Sequence, residues 1–156
     1  MTTSSTTLQA ICNAIELTLA PAITYTQSYN ELKEGMADTP TLQIYPFSGS
    51  SNPPQKTDRW TFQAVVRLAE LVIYADLYAT QRSELSEDMA ILLPLIEAMI
   101  TEIEKQDKKP YFNLLDAAGE PAIKAFNWRW QYSNFTYNDP QQIYVGARFT
   151  FTLTMF

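Results

Sequence analysis

The chain contains no histidine and a single cysteine, Cys12. The missing histidine removes the commonest general base near neutral pH. With one thiol and no imidazole, a structural zinc site has too few ligands. One cysteine also cannot close an intrachain disulfide, so the expected setting is a reducing cytoplasm. Only 4 glycines are spread over 156 residues, too few for a glycine-rich phosphate cradle. There is no G-x-S-x-G, no G-x-G-x-x-G and no H-E-x-x-H. No apolar run approaches the ~18 residues of a membrane span. The opening "MTTSSTTLQA" has neither a basic nor an apolar signal region. Positive charge is also scarce: 11 Lys and Arg against 17 Asp and Glu give a net charge of -6. A groove that neutralises nucleic-acid phosphates needs clustered cations, so this balance argues against one.

What is present suits one globular domain. Apolar residues make up 46% of the chain and charged residues 18%, enough for a core and against disorder. Leu8, Ile11, Cys12, Ile15 and Leu19 recur at helical spacing, with N-cap candidates at Ser4 to Thr7 and a stop at Pro21. Cys12 lies on that apolar stripe and reads as a packing residue. "PAITYTQSYNELKEGMADTP" reads as an extended connector with one short strand near Ile23 and Tyr25. "TLQIYPF" alternates as a short strand closed by Pro46. "SGSSNPPQKTDR", from Ser48 to Arg59, has nothing to pack and reads either as a surface loop or as a binding loop that orders against a partner.

In "WTFQAVVRLAELVIYADLY" the apolar parity changes. Trp60, Phe62, Ala64, Val66 and Leu68 share one face; Leu71, Ile73, Ala75 and Leu77 fall on the other. A bulge near Ala69 and Glu70 restores one buried face along a single long strand. The rival reading is a helix through Leu68, Leu71, Val72 and Ala75. Thr80 to Lys105 reads as a long amphipathic helix through Leu85, Met89, Leu92, Leu93, Ile96, Ile100 and Ile103, interrupted by Pro94. Its first-turn acids Glu84, Glu87 and Asp88 read as solvated, and suit the helix dipole.

Then comes a loop with a turn at Ala118, Gly119 and Glu120, and two strands joined at "NDPQ". In the first, Phe126, Trp128, Trp130 and Tyr132 share a face. That ladder reads as core or subunit interface, against sugar or base stacking. In the second, Ile143, Val145, Ala147, Phe149, Phe151, Leu153 and Met155 are expected under helices. The opposite face, Tyr144, Arg148, Thr150, Thr152 and Thr154, is expected toward solvent, a lumen or a neighbour. The fold expected is therefore α+β, a mainly antiparallel sheet with two helices packed on one face, in a single domain spanning 1–156.

The order of elements, the Ser/Pro-rich loop, the strand running into "VIYAD", the helix "SEDMAILLPLIEAMITEI" and the ending "QQIYVGARFTFTLTMF" resemble tailed-bacteriophage tail terminator and head–tail joining (neck) proteins. The resemblance implies a structural virion protein without catalytic, cofactor or metal residues. It implies a ring, hexameric in that family, that caps the tail tube and forms the surface joining the tail to the head connector. The implied partners are further copies of itself, the tail tube protein and the head–tail connector protein. DNA would pass through the lumen without specific binding, and no membrane is involved. Phe47, Trp60 and Arg148 are the interface candidates, Arg148 for an ion pair to a neighbouring subunit or else as an ordinary solvated arginine. Two other readings stay open: another tail structural protein of tube or baseplate type, and a small ligand-binding or enzymatic α+β domain.

Overall fold

The fold follows from a computed structural model, which describes residues 8–23, 25–28, 40–51, 68–116, 118–138 and 141–156. Helix α1 spans Leu8–Leu19, strand β1 Tyr25–Ser28, β2 Thr41–Ser51, β3 Leu68–Gln81, α2 Leu85–Glu104, β4 Ile123–Asn138 and β5 Gln141–Met155. A 3-10 turn, Tyr111–Asn113, lies between α2 and β4. The sheet order is β1-β2-β3-β5-β4. The four strands β2, β3, β5 and β4 pair antiparallel, and β1 adds a short parallel edge. The expected α+β class holds.

Strand periodicity sorts the residues into two faces. Leu42 and Ile44 of β2, Leu71, Ile73, Ala75 and Leu77 of β3, and Val145, Ala147, Phe149, Phe151 and Leu153 of β5 share one buried face. Ile11, Cys12, Ile15 and Leu19 of α1 and Leu92, Ile96, Met99 and Ile103 of α2 complete that core. Helix α1 packs on β1 and β2, and α2 on β3 and β5. Both helices therefore lie on the same side of the sheet. Each fully buried Phe or Leu side chain here stabilises the fold by about 1.5–3 kcal/mol.

The bulge expected near Ala69 is present. Ser50 pairs with Glu70 and Ser51 with Leu68, leaving Ala69 as the extra residue. Residues 60–67, and Trp60 with them, lie outside the described residues, as do 52–59 of the Ser/Pro-rich loop. Asp139 and Pro140 of the β4–β5 connection lie outside them too, although Asn138 pairs with Gln141 on either side.

Four expectations are corrected. Pro46 does not close its strand: β2 continues to Ser51, paired through Ile73 and stepping past Phe47 in a bulge. Strand β1 reaches only to Ile44, so beyond that point this side of β2 has no ladder partner among the described residues, and a missing N–H costs little there. Helix α2 begins at Leu85 rather than Thr80, because Thr80 and Gln81 still pair with Val145 and Tyr144. Asp88 is not solvated but 1% exposed. Its carboxylate accepts hydrogen bonds from the Ser83 backbone N–H at 3.0 Å and the Ser83 hydroxyl at 3.1 Å, tying the β3–α2 turn to the helix. Finally, the aromatic ladder of β4 divides. Phe126 and Trp128 pack against the core, whereas Trp130 and Tyr132 are 40% and 41% exposed. The reason is coverage. The 3-10 turn brings Tyr111 and Phe112 over Phe126, with ring centroids 4.9 and 5.2 Å away, while α2 packs chiefly on β3 and β5.

One close approach fixes a glycine. A Cβ built on Gly146 would overlap the carbonyl oxygen of Leu77. Tyr78 pairs with Gly146 and Thr80 with Val145, so the β3 chain bulges at Ala79 directly over this position.

Candidate functional site

The second face of the sheet carries the chemistry. Strand parity places Tyr45, Tyr74, Asp76 and Arg148 there, and the register makes Asp76 and Arg148 direct cross-strand partners. The guanidinium binds the carboxylate in fork geometry, Nε to Oδ1 at 2.8 Å and an Nη to Oδ2 at 3.0 Å. The Tyr45 hydroxyl donates to Asp76 Oδ2 at 2.5 Å, and the same Arg148 Nη reaches the Tyr45 oxygen at 3.2 Å. The guanidinium also lies over the Tyr74 ring at 4.2 Å, with the Phe135 ring at 5.6 Å. Asp76 is only 2% exposed, so this partnership is what makes its burial tolerable.

The network shifts proton affinities in consistent directions. The hydrogen bond to Asp76 raises the Arg148 pKa further above its already high ordinary value, against the opposing effect of burial. Burial, followed by the bond to Asp76, pushes the Tyr45 hydroxyl well above the usual tyrosine range. The result is a hydrogen-bonded clamp across β2, β3 and β5.

The structure brings two of the three interface candidates together. Phe47, 59% exposed, stacks on Tyr74 with centroids 4.4 Å apart and planes 18° from parallel; Arg148 lies over the same ring. Arg148 pairs with Asp76 of its own chain, which corrects both readings of it, the ion pair to a neighbouring subunit and the ordinary solvated arginine. The expected polar surface of β5 is also partly closed: Tyr144 and Thr150 are buried at 6% and 8%, while Thr154 is exposed. Tyr144 and Phe135 both pack on Tyr78, at 5.9 and 4.7 Å. Sequence reasoning passed over Asp76, Tyr45 and Tyr74. An acid inside the apolar run "VIYAD" was the available signal, but only the strand register names its partner.

Two further features lie on the opposite, helix-bearing face of the sheet. The exposed half of the β4 ladder, Trp130 and Tyr132, runs along a strand whose other edge has no ladder partner among the described residues. An open cleft of about 450 Å³ lies where α2 ends beside β4, lined by Ile103, Glu104, Asp107, Tyr111, Phe126 and Trp128 among others. Cys12 is fully buried, and its thiol is pushed up to about 11, first by burial and then by Glu16. That suits a packing residue and not a nucleophile. Among the described residues no three Cys, Asp or Glu side chains gather as a metal site, and no helix is long and apolar enough to cross a membrane. No family model matches the chain, and no curated protein matches it.

Proposed function

We propose that this chain is a structural subunit of a tailed-phage neck, assembling as a ring that caps the tail tube and presents the surface met by the head connector. The observation that carries the reading is the β4 strand: 16 residues long, at the edge of the sheet, with Trp130 and Tyr132 exposed along it. Exposed, long, apolar-bearing edges are an aggregation hazard in a monomer, and assembly into a closed ring removes it. The net charge of -6 suits a lumen that DNA must traverse without adhering. The sequence resemblance supplies the identity of the assembly, and the edge supplies a reason for assembly.

Solution mass and negative-stain imaging, with and without purified tail tubes, test the proposal. A closed oligomer, or a monomer that forms a ring only on tube ends, is the expected result. Open-ended polymers would favour a tube-type protein. A stable monomer or dimer that ignores tubes would overturn the reading, and would turn attention to the cleft beside Trp128 as a small-ligand site.

A further inference from the structure

We infer that the contact between successive copies is made by the β4 edge of one chain against the outward side of α2 of the next; this deepens the ring reading above and rests on it. The two elements carry opposite charge. Strand β4 carries Lys124 and Arg129 and no acid, and both cations are exposed. The two salt bridges formed among the described residues, Lys105–Glu102 and Arg148–Asp76, leave both without a carboxylate. Helix α2 is the converse. It contains no Lys or Arg, and its exposed charges are Glu87, Glu97 and Glu104.

The apolar surfaces match in the same way. Helix α2 turns Leu92, Ile96, Met99 and Ile103 inward and leaves Ile91 and Leu93 exposed at 46% and 47% beside Ala90 and Pro94. These small and aliphatic groups offer a surface on which Trp130 and Tyr132 of a neighbour can bury their rings. Complementary sign along two elements of one molecule favours joining different patches over joining like to like, since β4 against β4 sets cation against cation. Covering an edge strand with a helix is also a recognised way of blunting it. Because the two patches differ, each copy uses one and offers the other, so the contact propagates head to tail until it closes.

The test is a pair of one-sided charge reversals and their combination, in the full chain. One variant carries Lys124→Glu and Arg129→Glu; the other carries Glu87→Lys, Glu97→Lys and Glu104→Lys. All five positions are exposed, and circular dichroism with thermal melting checks that each variant folds. Native mass spectrometry reads the oligomer, on tube ends if the parent assembles only there. Each one-sided variant should associate at least about tenfold more weakly than the parent. An equimolar mixture of the two, and the chain with both sides reversed, should regain assembly. A folded one-sided variant that assembles like the parent overturns the inference while leaving the ring intact. So does a disulfide joining two copies through Arg129→Cys, which would report β4 against β4. A parent chain that never assembles, alone or on tubes, overturns the ring reading itself.

Discussion

The two faces of the sheet solve the same problem by different means. The face under α1 and α2 is dry and apolar: Phe149, Phe151, Ile73 and Leu42 are fully buried. It is held by many small dispersion and transfer contributions, so no single residue defines it. The opposite face is held by a charge. Asp76 is as buried as the core leucines, yet its cost is offset by two bonds from Arg148 and one from Tyr45. Loss on the first face leaves a cavity; loss on the second leaves an unpaired ion. The second face is therefore the more sensitive to a single substitution, and the more exacting about register.

The largest expected effect strikes the backbone that both faces share. Gly146→Val should give insoluble protein, because any Cβ there meets the Leu77 carbonyl oxygen, a main-chain atom that cannot turn aside. Expression and solubility, compared with the parent, check this. A soluble valine variant with the parent's melting curve would show that the β3 bulge at Ala79 can relax.

Next in size is Arg148→Met, which removes the partner and leaves the buried Asp76 carboxylate. The expected loss is about 3–5 kcal/mol in urea unfolding, with m unchanged. Combining it with Asp76→Asn should recover a substantial part of that loss, since the remaining amide carries no charge. If Arg148→Met costs under about 1 kcal/mol, the arginine behaves as an ordinary surface group and the contrast between the faces collapses.

The aromatic ladder of β4 sharpens the contrast along one strand. Trp128 packs against the core, whereas Trp130, two residues on and on the same face, is 40% exposed. Trp128→Ala should cost about 2–3 kcal/mol, less than the full value for a completely buried tryptophan. Trp130→Ala should change stability by no more than about 0.5 kcal/mol, as for other surface substitutions, and should instead weaken assembly. Thermal unfolding of the monomer, set beside the oligomer's mass, separates the two effects.

These particulars also mark how far the sequence could be read. Helix α1 from Ile11 to Leu19, the β5 face from Val145 to Leu153 and the bulge at Ala69 were legible because each rests on local periodicity: a stripe of Ile11, Cys12, Ile15 and Leu19, an alternation through Phe149 and Phe151, a change of parity; the outlying members assigned to those stripes, Leu8 and Ile143, are instead 38% and 44% exposed. The misreadings all involve relations between elements. Proline normally ends a strand, but Pro46 sits where β1 has already stopped, so its lost donor is harmless. Asp88 looks like a solvated helix acid until the β3–α2 turn brings Ser83 back onto it. Trp130 looks like Trp128 until the reach of the 3-10 turn is known. The clamp on the second face was the least legible, because Asp76 and Arg148 are 72 residues apart and only the register joins them.

The smallest effect tests the clamp's third member. Tyr45→Phe keeps the ring, which packs edge-on against Tyr74 at 5.9 Å, and removes only the hydroxyl. Asp76 loses one donor and retains the two bonds from Arg148, so the cost at neutral pH should be about 1 kcal/mol. The pH dependence is the more telling signature. In the folded chain the Tyr45 hydroxyl holds its proton more tightly than an ordinary tyrosine, first because it is buried and then because it donates to Asp76. A folded-state pKa raised in this way contributes stability that is fully present below ~10, the unfolded value, and is lost as the pH rises from there toward the folded value. Parent and Tyr45→Phe should therefore differ by a constant amount up to about pH 10 and converge above it. Ultraviolet titration of the folded parent should likewise find a tyrosine that fails to ionise near pH 10 and is absent from the variant. If every tyrosine in the parent titrates normally, the hydroxyl is not committed to Asp76, and the clamp rests on Arg148 alone.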